Sequence, residues 1–149
     1  MMNNNEVTYG ESNNLNLKVL VTLSRATQAV HKRSIKIFNE GGLTSAQFAV
    51  LEVLYHKGDL RISEIIEKIL STGGNMTVVI NNLEKEQLVE KHIDVEDKRV
   101  TLIRITEKGK KKIEDIFPVH LRELEQQFSV LTAAEKKTLR TLLKKLGTN

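Results

Sequence analysis

The chain has 149 residues, of which 23 are Lys or Arg and 19 are Asp or Glu, giving a formal net charge of +4. This length fits one domain, with or without an added oligomerisation segment, and excludes two large domains. Because there is no cysteine, disulfides, thiolate nucleophiles and cysteine metal sites are excluded. One proline and eight glycines, in a chain rich in Leu, Ile, Lys and Glu, predict a mostly helical fold.

Residues 1–14 are polar and contain no basic residue. They lack the basic and apolar regions of a signal or transit peptide, so we interpret them as a flexible N-terminal arm before a single domain at residues 15–149. The sequence contains no run of the ~18 apolar residues that a membrane span needs. A cytoplasmic protein without a membrane partner is therefore expected.

A long first helix is predicted over residues 15–40, because apolar residues such as Leu23, Val30 and Ile37 recur at helical spacing. The run stops at Gly41–Gly42, where glycine favours a helix end. Such a helix would be roughly 35–40 Å long, more than a small core covers. Part of its apolar face is expected to contact a second chain or, alternatively, other helices of the same chain.

Three shorter helices are predicted next. Thr44 and Gln47 have the spacing of a capping box, which begins the second helix, and isoleucines in the segment 62–70 predict a short third helix. Ser71 or Thr72 is predicted to cap a fourth helix. The apolar positions of that helix are Met76, Val79, Ile80 and Leu83. The third and fourth helices form a helix-turn-helix arrangement, in which the second helix is offered to the major groove of DNA.

After the fourth helix, from residue 88, the spacing of apolar residues is no longer that of a helix and is typical of β-strands. Residues 88–93 and 100–105 are rich in β-branched residues and flank a polar, charged segment, which predicts a hairpin. Thr106 is predicted to cap a long helix that is kinked at Pro118 and continues past it. A second capping box at Thr132–Glu135 begins the last helix. These elements predict a mostly α fold with a small β-hairpin.

The outward face of the fourth helix is uncharged. Asn can bridge N6 and N7 of adenine, Ser and Thr can donate or accept, and Val can contact the thymine methyl group, so this face suits readout of base edges. For an isolated helix, a polar solvent-facing surface would be the simpler interpretation. The adjacent short helix and the basic hairpin favour DNA binding. The candidate residues are Ser71, Thr72, Asn75, Thr77, Val78, Asn81 and Asn82.

The hairpin and the start of the next helix are strongly basic. From Lys98 to Lys112 there are seven basic residues and one acid, Glu107. Arg99 at the hairpin tip is a candidate for minor-groove contact, and Lys98 is a candidate for phosphate contact. Asp97 is expected to orient Arg99, since a carboxylate would repel phosphate. An ordinary solvated charge run is the alternative, above all for the lysines of the helix.

The sequence contains no arrangement typical of an enzyme or a metal site. The four histidines lie far apart and have no paired metal-ligand spacing. Neither glycine pair fits a phosphate-binding loop, and no Ser/His/Asp motif has a supporting context. A non-enzymatic protein without cofactor or metal is predicted.

Five segments carry a resemblance to a known family. They are Leu43–Leu51, Ile62–Ile65, Asn75–Val79, Leu83–Val89 and Asp97–Gly109. The last contains an Asp-x-Arg before a strand and a Thr-x-x-Gly after it, the wing signature of the multiple antibiotic resistance regulator (MarR) family of winged-helix transcription factors. The chain resembles this family over residues 15–146. Phe48–Gly58 and Asp115–His120 resemble a bacterial subgroup of repressors that respond to quinones and related aromatic compounds.

The resemblance implies a homodimer that binds double-stranded DNA. The first and last helices of both chains interlock in the family, which assigns residues 15–40 and 107–147 to dimerisation. Residues 44–106 would form the winged helix-turn-helix lobe. The resemblance further implies a pseudo-palindromic operator, repression as the usual output, and a small aromatic or anionic inducer. The candidate residues for binding this inducer are Arg25, Phe48, Tyr55 and His56. From the sequence, each of them could equally be an ordinary core or surface residue.

Three departures from the family pattern bear on DNA binding. Gln87 stands where a glycine is usual, so the fourth helix is expected to end without a left-handed residue. Arg61 replaces a Ser or Thr cap and could reach a phosphate. The uncharged recognition helix leaves Lys85 and Arg99 to hold the phosphates. A winged-helix interaction module that reads no DNA sequence is the alternative.

Overall fold

The computed structural model describes residues 7–69 and 75–147. The described part contains, in chain order, α1 (Glu11–Glu40), α2 (Ser45–Lys57), β1 (Leu60–Arg61), α3 (Ile62–Lys68), α4 (Met76–Lys85), β2 (Val89–Ile93), β3 (Thr101–Ile105), α5 (Glu107–Phe128) and α6 (Ala133–Gly147). This is the mostly helical fold with a small hairpin that the sequence predicts. The described residues form two compact units, which meet at the bond between Arg33 and Ser34.

The first unit holds the N-terminal part of α1. The helix begins at Glu11 and not at residue 15, so the end of the predicted arm is helical. Local hydrogen bonds explain the earlier start: the Asn14 side chain accepts from the Tyr9 backbone N–H at 3.1 Å and donates to the Thr8 hydroxyl at 2.8 Å. Such side-chain bonds satisfy backbone groups that a helix start leaves open.

The core of the second unit is apolar and lies between α2, α4, α5 and the inner face of the sheet. Among the described residues, no polar or charged side chain is buried. The most deeply buried side chains are Leu43, Val50, Leu51, Leu54, Ile65, Ile80, Leu83, Leu88, Val89, Ile103 and Ile113. Removing these side chains from water is the main term that holds the helices against the sheet.

The predicted cap of α2 is confirmed. The Gln47 backbone N–H donates to the Thr44 hydroxyl at 3.2 Å, and the Thr44 N–H donates to the Gln47 side-chain oxygen at 3.0 Å. The helix ends at Gly58, which has φ of +82° and donates to the Leu54 carbonyl. Both ends of α2 are therefore set by residues within one turn of them.

The sheet contains the predicted hairpin and one additional strand. β2 and β3 pair antiparallel, with Val89 opposite Ile105 and Ile93 opposite Thr101. β1 pairs with β3 on its other side and places Arg61 opposite Leu102. A strand of two residues is too short to show a sequence period, which is why β1 was not predicted.

The predicted start of α4 was wrong. The helix begins at Met76, and its cap is Asn75, whose side-chain oxygen accepts from the Thr77 backbone N–H at 3.0 Å. Asn is among the best capping residues, whereas the preceding Gly73–Gly74 pair has low helix propensity. Ser71 and Thr72, the predicted caps, lie outside the described residues.

The end of α4 also differs from the prediction. Gln87 adopts the left-handed conformation itself, with φ of +60°. Its N–H donates to the Glu84 carbonyl at 2.9 Å, and the Leu88 N–H donates to the Leu83 carbonyl at 2.9 Å. These two bonds make a Schellman motif, which satisfies the last carbonyls of the helix. The motif requires the left-handed conformation at position 87, and Gln87 adopts it although it is not a glycine.

Because a side chain is strained in the left-handed region, we expect Gln87→Gly to raise the free energy of unfolding by about 1 kcal/mol. Urea unfolding followed by circular dichroism measures this as a higher midpoint at unchanged slope. Gln87→Ala is the matched control, since it removes the side chain beyond Cβ and leaves the strain. Equal midpoints for the Gly and Ala variants would contradict the assignment.

The two last helices follow the predicted caps. The Thr106 hydroxyl accepts from the Gly109 N–H at 3.0 Å, and α5 then runs through Pro118 without a break. The Thr132 hydroxyl accepts from the Glu135 N–H at 3.1 Å. This hydrogen-bonded environment lowers the pKa of Glu135, which also accepts from the Thr132 N–H.

Candidate nucleic-acid interface

The fourth helix is amphipathic in the way that a groove-reading helix requires. Ile80 and Leu83 are completely buried on one side. The opposite side is exposed and consists of Thr77, Val78, Asn81, Asn82 and Lys85. Asn75 is also exposed, although its side-chain oxygen already caps the helix. The structure therefore brings five of the predicted residues together on one free surface.

The wing tip holds an arginine in a defined position. The Arg99 guanidinium donates from Nε to Asp97 Oδ1 at 3.1 Å and from Nη2 to Asp97 Oδ2 at 3.3 Å. The Arg99 backbone N–H donates to the same carboxylate at 3.1 Å. These hydrogen bonds hold the pKa of Asp97 below its usual range. The Arg99 side chain is nevertheless 90% exposed, so the carboxylate orients it without covering it.

Arg61 lies beside the same hairpin. Its backbone N–H donates to the Glu64 carboxylate at 2.8 Å, while its side chain is exposed. After the hydrogen bonds from Arg99 itself, the charge of Arg61 further lowers the pKa of Asp97. Lys98 is exposed at the hairpin turn. Three cationic side chains from two segments thus lie at this side of the lobe.

One contact between the wing and the fourth helix was not predicted. Lys91 of β2 donates to the side-chain oxygen of Asn81 at 2.8 Å and lies 3.6 Å from the Glu84 carboxylate. The sequence gives one signal for it: Lys91 lies two residues after the buried Val89 and therefore on the same face of the strand. Asn81 is thus fixed from outside its own helix.

Three of the predicted ligand residues lie on α2, and two of them, Phe48 and His56, approach the Phe117 ring at 6.4 and 5.4 Å, respectively. Phe48 is buried and stacks on Phe38, with ring centroids 3.9 Å apart. His56 donates from Nδ1 to the Glu52 carbonyl at 2.9 Å, and Tyr55 packs edge-on to its ring at 5.2 Å. Arg25 belongs to the first unit.

Residues missed by the sequence complete an aromatic cluster, which consists of Phe38, Phe48, Phe117 and His120. The His120 ring lies 5.0 Å from Phe38 and 5.5 Å from Phe48. Its Nδ1 atom is buried and has no hydrogen-bond partner among the described residues. Burial lowers the pKa of His120, although the charge of Glu52 opposes this. The cluster therefore contains an imidazole with an unsatisfied polar atom, and burial favours the neutral form of this ring.

The groups around Tyr55 form an exposed polar network. The Tyr55 hydroxyl donates to the Glu114 carboxylate at 3.2 Å, and this bond raises the pKa of the phenol. Arg104 donates to Asp59 at 2.7 and 2.9 Å, which raises the arginine pKa. Lys110 donates to Glu107 at 2.9 Å, with the same direction of pKa shift. Lys108 donates to the Glu86 carbonyl at 2.8 Å. Three of the predicted basic residues, Arg104, Lys108 and Lys110, therefore form hydrogen bonds with carboxylates or a carbonyl of the protein.

Within residues 7–69 and 75–147, no group of three or more His, Cys, Asp or Glu side chains could hold a metal ion. A search of the same residues found no helix with the length and apolar character of a membrane span.

A short helix, an amphipathic second helix and a hairpin that carries an oriented arginine define a winged helix-turn-helix protein. The family model of the transcriptional regulators SarA/Rot matches residues 32–116. The HTH-type transcriptional regulator MhqR of Bacillus subtilis is 40% identical over 133 residues, which cover 89% of this chain and 92% of MhqR. The chain therefore belongs to the MarR-like winged-helix transcriptional regulators, with the SarA/Rot regulators as its matching family, and it is a DNA-binding regulator.

Solved structures show the same fold. Sco3205, a MarR family transcriptional regulator from Streptomyces coelicolor solved in complex with DNA, matches with a TM-score of 0.82 and 19% identity, over 97% of this chain and 91% of that chain. BpsR of Bordetella bronchiseptica, a protein whose DNA binding is regulated by 6-hydroxynicotinic acid, matches with a TM-score of 0.67 and 24% identity, over 85% of this chain and 93% of BpsR. The relatives that match this chain by family model and by sequence are transcriptional regulators.

Proposed function

We propose that this regulator is a homodimeric repressor that binds a pseudo-palindromic operator and leaves it when a small aromatic or anionic ligand binds. The observation that carries the DNA part is the pairing of four uncharged, exposed side chains on α4 with Arg99, which Asp97 holds outward. The face offers donors and acceptors to base edges, and the arginine suits a narrow minor groove. Because its target is chromosomal DNA, we expect the protein in the cytoplasm.

Exposed apolar helix faces support the homodimer. On α6, four leucines at helical spacing are between 39% and 59% exposed. They are Leu139, Leu142, Leu143 and Leu146. In the first unit, α1 exposes a second set that includes Leu15, Leu17 and Leu20. Apolar faces of this size on single helices are typical of surfaces that a second chain covers.

The aromatic cluster supports the ligand part of the proposal. Flat rings at Phe48 and Phe117 suit stacking on an aromatic compound. The unpartnered Nδ1 of His120 could donate to an anionic or carbonyl oxygen or accept from a hydroxyl. BpsR, with its hydroxylated aromatic acid, is a protein of the same fold. A ligand would release DNA only to the extent that it binds the DNA-incompetent state more tightly.

The test is fluorescence anisotropy of the purified protein on the DNA upstream of its own gene and on a scrambled duplex, across a salt series. We expect a preference of ~10³ or more for the native duplex at physiological salt, with half-sites ~10 base pairs apart. A panel of quinones, phenols and aromatic carboxylates is then titrated into the complex. At least one compound should lower the anisotropy on the native duplex.

A second candidate function is a winged-helix interaction module without sequence readout. The exposed face of α4 favours it, because Lys85 is the only cation among the five residues of that face, whereas neutralisation of the phosphate backbone by Lys and Arg supplies a large share of DNA affinity. If the protein is such a module, it should bind the native and the scrambled duplex with equal affinity, and this binding should be lost at moderate salt. That result on this promoter and on genome-wide binding sites would contradict the repressor proposal.

A further inference from the structure

The bond between Lys91 and Asn81 joins the wing to the reading face of α4. Lys91 Nζ lies 2.8 Å from Asn81 Oδ1 and 3.6 Å from Glu84 Oε1. The side chains of Lys91 and Glu84 are 36% and 42% exposed, respectively. The ammonium group is therefore held between a carboxylate and an amide oxygen, and both of these groups belong to α4.

This contact settles which way the Asn81 amide is turned. An ammonium group has three donors and no acceptor, so only the amide oxygen can face it. The NH₂ group of Asn81 then points away from Lys91 and has two N–H donors to offer. Asn82, by contrast, makes no side-chain hydrogen bond in the described part of the chain, so its amide keeps both orientations.

The orientation decides which base edges Asn81 can read. Bridging adenine requires the amide to accept from N6 and donate to N7 at once. The Asn81 oxygen has a second lone pair, but a donor that approaches it, such as adenine N6–H, must do so beside the positive charge of the Lys91 ammonium group. The Asn81 NH₂ group meets no such repulsion when it donates to an acceptor. Guanine presents two acceptors, O6 and N7, to the NH₂ group of Asn81. Adenine presents N7 beside its N6 amino group, which is itself a donor and cannot accept from that NH₂ group. The fixed amide therefore favours guanine over adenine.

We propose that Lys91 is a positioning residue for sequence readout, which fixes Asn81 as a hydrogen-bond donor and makes the facing operator position prefer guanine over adenine. The inference rests on the proposed DNA-reading function of α4. Lys91 acts through Asn81 and needs no contact with DNA. This role separates Lys91 from cations that hold phosphates, which add affinity without sequence information.

The experiment is selection from a pool of duplexes randomised over about 24 base pairs, enough for two half-sites. Bound DNA is sequenced for the native protein, Lys91→Met, Lys91→Arg, Asn81→Ala and the double variant Lys91→Met with Asn81→Ala. Lys91→Met frees the amide, so we expect the guanine-to-adenine ratio at one position of each half-site to fall by about fivefold or more. Lys91→Arg keeps a donor beside the amide oxygen and should retain the native ratio.

Two controls isolate the effect. In the Asn81→Ala background, Lys91→Met should leave the ratio unchanged, because there is no amide to reorient. Lys98→Met removes an equal charge from the wing and should lower affinity for all duplexes alike. Circular dichroism verifies that each variant is folded.

The outcomes distinguish the inference from the function on which it rests. If the native protein selects no motif, both the proposed readout and the role of Lys91 are wrong. If it selects a motif that Lys91→Met leaves unchanged, or changes equally without Asn81, only the role of Lys91 is wrong.

Discussion

Replacing Gly109 by alanine is expected to lower the free energy of unfolding by about 3 kcal/mol, the upper range for overpacking. A Cβ atom at Gly109 would overlap the Leu88 carbonyl oxygen and lie 2.7 Å from Cγ1 of Ile105. The carbonyl cannot retreat without loss, because it accepts from the Thr106 N–H at 3.1 Å. Urea unfolding followed by circular dichroism measures the change as a lower midpoint.

A loss of stability on Gly109→Ala would indicate a close contact at this position, because Gly109 lies within α5. In an open helical position, alanine is more favourable than glycine by up to about 1 kcal/mol. Gly147, in α6, has nothing within 4 Å of a built Cβ, and Gly147→Ala is the matched control. It should leave the midpoint unchanged or raise it slightly. A Gly109→Ala midpoint at or above the native value would show that α5 does not approach the Leu88 backbone this closely.

Gly109 also explains why threonine and glycine occur together at the end of the hairpin. Thr106 donates from its hydroxyl to the Gln87 carbonyl at 2.7 Å and accepts from the Gly109 N–H. The lack of a side chain at Gly109 then lets the first turn of α5 pack on the Leu88 backbone. The Thr-x-x-Gly motif thus joins the end of α4, the hairpin and α5 at one point.

The sequence predicted best those features that depend on residues within one turn. The capping boxes at Thr44 and Thr132 are confirmed because both partners lie three residues apart. The start of α4 was predicted wrongly because several capable caps, Ser71 and Asn75 among them, occur within five positions. Which of them is used depends on packing, and a local pattern does not contain that information.

In the candidate site too, contacts between residues close in sequence could be predicted, whereas contacts between distant segments could not. The bond between Asp97 and Arg99 spans two residues and could be anticipated from spacing. The contact of Lys91 with Asn81 depends on the placement of β2 beside α4, ten residues away in sequence. The aromatic cluster depends on the packing of α5 against α2, so Phe117 and His120 have no local signal that distinguishes them from ordinary core residues.

We expect Arg99→Ala to lower operator affinity by about 10- to 100-fold, if one arginine from each wing enters the minor groove. Asp97 uses two of the five guanidinium N–H groups of Arg99. The other three remain for acceptors in the groove, and the low pKa of Asp97 keeps the ion pair intact. Anisotropy titration on the selected duplex measures the loss, and the salt dependence should become less steep.

Two variants separate the geometry of Arg99 from its charge. Arg99→Lys keeps the charge but loses the planar fork that Asp97 holds, so we expect it to recover only part of the lost affinity. Lys98→Ala removes the neighbouring charge and should cost less than Arg99→Ala, because a flexible ammonium group is not oriented in advance. If both alanine variants lost affinity equally, and Arg99→Lys restored it fully, the wing would bind DNA through its net charge alone. The orientation by Asp97 would then have no role in recognition.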